Sequence, residues 1–290
     1  MGVFKRFRSL PLILLFTFVG LSSAWTYAPP IPNTHEAIAL TLSATQLSSL
    51  ISKENYSAPI SEGGVCYGMD RVNYTLLTQI KFERGQKRSP HHIANKIISA
   101  FQEKRPQVIT GFSSTYQFVS QMQREWTDTF NPLKYAIETI QGDFDRFRNA
   151  VQIFLNGAHL IFNGIDALYE TVDQFQSYIL ASTPVPIVII STRTLGAHAL
   201  TIVGFKKDLS DPWNSLPRHF LVLDSNYPQT LQVLEFKYNH WFYEPWQSET
   251  DPGVVFVYFE NPSRQDIDVA NQHFKVQWLT HRDHILPFSP

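Results

Sequence analysis

A single cysteine, Cys66, stands in a chain of 290 residues. No disulfide can form within such a chain, so its fold depends on an apolar core. Hydrophobic residues make up 43% of the sequence, enough to build that core in one large domain or two small ones. The aromatic complement of 22 Phe, 12 Tyr and 6 Trp favours a mixed fold with strands over a helical bundle.

The N-terminal stretch reads as a targeting signal. Lys5, Arg6 and Arg8 precede an apolar run from Leu10 to Leu21, and Ser22-Ser23-Ala24 supplies small residues before a cleavage point. Residues 1–24 are therefore expected to be a signal peptide, and 25–290 a secreted or periplasmic domain. The apolar run is short for a membrane span, and no second long one follows, so no stable span is expected after signal removal. Losing Lys5, Arg6 and Arg8 leaves 21 basic against 25 acidic side chains. That balance argues against a nucleic-acid partner, which needs clustered positive charge. A lone thiol in an oxidising compartment is either buried and inert or present for its chemistry.

Periodicity divides the chain in two. Residues 25–60, rich in Pro, Ser and Thr, predict an extended arm and then a short helix near His35–Ser52. Glu62-Gly63-Gly64-Val65 is a turn leading into a helix whose stripe is Met69, Val72, Leu76, Leu77 and Ile80, which puts Cys66 at the helix N-terminus. Ser89-Pro90 starts another helix, and helical periodicity continues through 113–125, 131–160 and 165–181. From Pro184 the pattern changes to strands: Ile187–Ile190, Ala199–Phe205, His219–Leu223, Leu231–Phe236 and Val254–Phe259, separated by turn residues. The fold class predicted is α+β, with a helical half carrying Cys66, an antiparallel β half carrying His198, and a helical insertion over 89–181.

A thiol reacts as thiolate, and a helix N-terminus, an adjacent imidazolium or donating backbone amides favour that form. The Gly63-Gly64-Val65-Cys66 turn supplies the first and third, and its glycines let a substrate backbone approach. Of ten histidines, His198 is the best placed to supply the imidazole. It opens the strand Gly196-Ala197-His198-Ala199-Leu200-Thr201, where small neighbours leave the ring accessible. Asp224 ends the next strand, and antiparallel pairing would bring it beside His198 to orient the ring. Asn226 is the substitute for that role. A bland reading stands beside each: a buried inert thiol, a strand-end histidine bonded to backbone, a turn-capping Asp.

Three short blocks resemble the papain/cathepsin family of cysteine peptidases. Gly64 lies two before Cys66 and the aromatic Tyr67 follows it, as around the family's nucleophile. The block His198-Ala199-Leu200-Thr201-Ile202-Val203-Gly204-Phe205 is similar to the family's His strand, and Asp224-Ser225 stands in place of its Asn-Ser. The Cys–His–Asp order also matches. The resemblance implies a papain-like fold and a thiol protease with Cys66 as nucleophile, His198 as base and Asp224 as orienting group. It implies a peptide or protein substrate and no cofactor. The family's oxyanion glutamine would fall at Ile60, so that donor is missing or displaced. The Cys66 N–H remains, with Ser61 or Asn55 as a second donor and Gly64 and Asn226 lining the substrate site. Asp211-Pro212-Trp213-Asn214 reads as a hairpin insertion between His198 and Asp224, and the family's cysteine framework is absent.

The same residues also suit an acyl transferase, a deamidase or a cell-wall amidase. A secreted binding protein with an incidental thiol is the non-enzymatic alternative. His281-Arg282-Asp283-His284 and His91-His92 resemble metal half-sites, but neither has the three or four converging ligands that zinc requires, so no metal is expected.

Overall fold

Strand register and helix caps build the fold from the alternations just described. In the computed structural model the described residues are 36–58, 64–148, 164–193, 196–208, 219–228, 230–248, 251–259 and 274–280. They belong to one unit, Asn33–Pro290. The expected signal peptide, Ser61, Gly63, the Asp211–Asn214 insertion and His281–His284 lie outside them.

The helices are α1 (Ala44–Ser48), α2 (Cys66–Thr78), α3 (Pro90–Glu103), α4 (Thr115–Arg124), α5 (Pro132–Arg148) and α6 (Gly164–Leu180). Their starts follow local chemistry. Ser89 caps α3 through the His92 N–H with Pro90 at the first turn, and Ser114 caps α4 through the Gln117 N–H. The Asn131 side chain accepts from the Leu133 and Lys134 amides at 3.0 Å each, which starts α5.

The strands are β1 (Glu36–Leu40), β2 (Ile80–Glu83), β3 (Gln107–Thr110), β4 (Val185–Ser191), β5 (Ala197–Asp208), β6 (His219–Asp224), β7 (Leu231–Lys237), β8 (His240–Tyr243), β9 (Val254–Phe259) and β10 (Gln277–Thr280). Eight of them form one antiparallel sheet in the order β10-β1-β5-β4-β9-β8-β7-β6, and β6 also pairs with β5. That last pairing closes six strands, β4 to β9, into a barrel. The long strand β5 serves both edges, with a register shift between Ile202 and Gly204 where it bends from one partner to the next.

Three segments depart from the sequence reading. Glu36–Leu40, expected within the short helix near His35–Ser52, is a strand between β5 and β10. Ile80, expected on the stripe of α2, opens β2 in a parallel pair with β3. β8 is too short to announce itself. It follows a two-residue hairpin in which Tyr238 and Asn239 both have positive φ, 52° and 63°.

Alternation fills the barrel. Ile187 and Ile189, Leu200 and Ile202, Phe220 and Val222, Leu234 and Phe236, Trp241 and Tyr243, and Val255 and Val257 form one apolar cluster. Phe175 of α6 joins it and packs on Phe220, Trp241 and Phe259. A second cluster joins Val188 and Ala199 of the barrel to Met69 and Val72 of α2 and to Ile137 and Ile140 of α5. α2 is thus held between α5 and the barrel wall. The fold is α+β, and among the described residues no helix is long and apolar enough to cross a membrane.

Candidate active site

Cys66 is the first residue of α2, and Gly64 before it has φ of 89°, a conformation that costs a side chain dearly. A Cβ at Gly64 would meet the Asn55 amide, 2.8 Å from Nδ2 and 2.9 Å from Oδ1. The Val65 N–H donates to Asn55 Oδ1 at 2.8 Å, and the Gly68 N–H donates to Gln141 Oε1 of α5 at 3.0 Å. These side chains occupy one amide of the turn before α2 and one within its first turn. The Cys66 N–H, the first amide of α2, lies beyond the reach of the helix's own carbonyls.

The period of the strands brings the other groups to one barrel end. His198 continues the inward series of Ile202 and Leu200, Asp224 that of Phe220 and Val222, and Tyr243 that of Trp241. Asp224 is paired in register with Leu200, two residues from His198. The His198 Nε2 meets Asp224 Oδ1 at 2.6 Å, and the ring also hydrogen-bonds the Cys66 side chain. With Nε2 turned to Asp224, Nδ1 is the nitrogen left for the sulfur. Cys66, His198 and Asp224 are 9%, 4% and 6% exposed, so the three meet in a nearly dry environment.

Burial opposes a charge on His198, but the hydrogen bonds to Asp224 and Cys66 and the negative charge of both outweigh it. The result raises the ring from 6.5 to about 10. At neutral pH His198 is therefore a cation between the sulfur and a carboxylate.

Asp224 is held by three donors: His198, the Asn226 N–H at 2.6 Å, and the phenol of Tyr243 on Oδ2. Burial and the nearby Asp224 charge push the Tyr243 phenol far up, so it remains a donor at all relevant pH. Trp246, in a single turn of 3-10 helix after β8, packs edge-on to Tyr243 at 5.5 Å and lies 6.1 Å from the His198 ring.

The sequence-predicted residues thus converge, with adjustments. Asp224, not Asn226, takes the short bond to His198, and the Asn226 side chain lies 3.4 Å from the same nitrogen. Of the two side chains expected as second oxyanion donors, Asn55 lies at the turn before Cys66 and Ser61 is outside the described residues. The Asn55 N–H donates to the Ser225 carbonyl at 2.9 Å, tying this loop to the one that follows Asp224.

Tyr243 and Trp246 escape a sequence reading because β8 gives only four residues of alternation. Asp70 escapes it too, although its place one turn after Cys66 is a legible signal. His91, half of an expected-empty metal motif, stacks on Phe130 with ring centres 3.8 Å apart. Among the described residues no group of three or more His, Cys, Asp and Glu side chains converges as a metal site would require.

No family model matches the chain, and no curated protein or solved structure matches it either.

Proposed function

We propose that this chain is a papain-like cysteine hydrolase that cleaves peptide bonds through Cys66, His198 and Asp224, and that it acts after export. The observation that carries the reading is the His198 ring, hydrogen-bonded to a sulfur at a helix N-terminus on one side and to a carboxylate on the other.

The Cys66 thiolate attacks the substrate carbonyl carbon and forms a C–S bond while the carbonyl π pair moves onto oxygen. The Cys66 N–H and the Asn55 Nδ2 amide donate to that oxyanion. The intermediate collapses, the C–N bond breaks, and His198 gives its proton to the leaving amine, which leaves a thioester. Neutral His198 then takes a proton from water as it attacks the thioester carbon; the C–S bond breaks, the acid departs, and the Cys66 thiolate and protonated His198 are restored. Asp224, steadied by Tyr243, keeps the ring in orientation and balances its charge.

The test is turnover of a peptide mixture with the products identified by mass spectrometry. New termini are expected with the native chain and none with Cys66→Ala at unchanged fold. A mass gain of one deamidation or a cross-link in place of new termini would reassign the chemistry to a deamidase or transferase. Iodoacetamide labelling of Cys66 is expected to be fast at neutral pH and to depend on His198. An unreactive thiol in the folded chain would remove the hydrolase reading.

A further inference from the structure

The carboxylate of Asp70 lies in the protein core, where apolar packing would be the cheaper choice. Asp70, Arg71 and Thr201 are 4%, 1% and 2% exposed. Oδ2 of Asp70 pairs with Arg71 Nη1 at 2.5 Å, and Oδ1 accepts from Thr201 Oγ1 at 2.7 Å. The Arg71 guanidinium in turn lies over the Tyr67 ring, 4.7 Å from its centre, and Tyr67 stacks on Phe144 of α5. Removing an ion pair from water is costly, so a buried pair is weak evidence for net stability, and in some proteins what it returns is a fixed arrangement.

The arrangement here is specific. Asp70 stands one turn beyond Cys66 on α2, and Thr201 stands three residues beyond His198 on β5. One turn advances about 5–6 Å along a helix, and three residues advance about 10 Å along a strand. The contact of Cys66 with His198 and the contact of Asp70 with Thr201 therefore join the same helix to the same strand at two separated points. The first contact fixes one point of α2 on the barrel wall, and the second fixes the rotation and register of α2 against β5. Apolar neighbours such as Val72 and Ala199 give α2 adhesion but no direction.

We propose that Asp70 is a positioning residue for the Cys66–His198 pair, fixing the nucleophile's helix against the base's strand through its bond with Thr201. The inference rests on the hydrolase reading above. Three charged groups act on Asp70: Arg71 on its own helix, and His198 and Asp224 on the barrel. Burial, the largest influence, and the charge of Asp224 raise its carboxyl, while Arg71, Thr201 and His198 hold it down, which leaves it near 6 and ionised at neutral pH.

The experiment compares the rate of Cys66 carbamidomethylation by iodoacetamide, as a function of pH, in the full chain and its variants. Thr201→Val removes the hydroxyl and keeps the shape, and Thr201→Ser keeps the hydroxyl. With one charge-assisted bond removed, the valine variant should label about tenfold more slowly at neutral pH and show a displaced pH profile. The serine variant should label like the native chain. Thr201→Ala replaces the valine variant in the comparison where valine does not fold. A profile that is unchanged in a folded Thr201→Val or Thr201→Ala chain, while His198→Ala alters it, overturns the positioning role alone. A profile unchanged by His198→Ala overturns the hydrolase reading and the inference with it.

Discussion

Tyr243 donates its phenolic hydrogen to one oxygen of Asp224 while His198 occupies the other. The two donors reach the carboxylate from separate strands of the barrel, and the Asn226 amide adds a third bond at 2.6 Å. Asp224 is consequently fixed in rotation as well as in place. A His partner that cannot turn is what an orienting residue must be.

Replacing Tyr243 by Phe removes one donor and leaves a buried carboxylate oxygen without it. The expected cost in stability is about 1–3 kcal/mol, measured by chemical denaturation. If the hydrolase reading holds, kcat should fall about tenfold with KM nearly unchanged, because the lost bond acts through His198 and not on bound substrate.

Asn55→Asp separates the bond that Asn55 accepts from Val65 from the oxyanion donation that the hydrolase reading assigns to it. An aspartate oxygen still accepts from the Val65 N–H, so the turn into α2 survives. The amide donor is gone and a negative charge replaces it beside the developing oxyanion. Loss of about a hundredfold or more in kcat is expected, with the thermal midpoint little changed. Native turnover in this variant would remove Asn55 from the oxyanion site.

The stability of the chain should depend on pH through His198. Its folded pKa of about 10 exceeds the ordinary 6.5, so the folded state holds the extra proton between those values. The stabilisation is fully present below pH 6.5 and is lost as pH rises through about 10. Asp70 adds a slope of the same sign in a lower window, since its folded value near 6 also exceeds the ordinary 3.8. The melting midpoint should fall on the alkaline side of neutrality, and His198→Gln should flatten that fall. A flat native profile would contradict the coupling among Cys66, His198 and Asp224.

Gly68→Ala tests how α2 is held. A Cβ there would fall on the Ile137 carbonyl of α5, backbone that has no easy retreat. A destabilisation of about 2–3 kcal/mol is expected, read from urea denaturation. Activity should decline as well, because the same helix carries Cys66.

Much of the site was written along the chain. The Gly64 turn before an apolar stripe places Cys66 at a helix start, and the small residues around His198 with β-branched neighbours place it at a strand start. These are local patterns, decided by φ preference and by the periods of 3.6 and 2. The strand nature of Glu36–Leu40 was not legible, because a single strand with ambiguous polarity acquires its state from its partners, β5 and β10.

The sequence by itself determined the order of helical and β-rich regions, the lack of an intramolecular disulfide and the candidates Cys66, His198 and Asp224, because each rests on a local pattern. Tertiary structure alone decided that His198 and Asp224 meet, that Tyr243 joins them, and that Asp70 meets Thr201 across 131 residues. The physical reason is barrel closure: the pairing of β6 with β5 sets which strand ends share one mouth, and no local preference encodes that pairing.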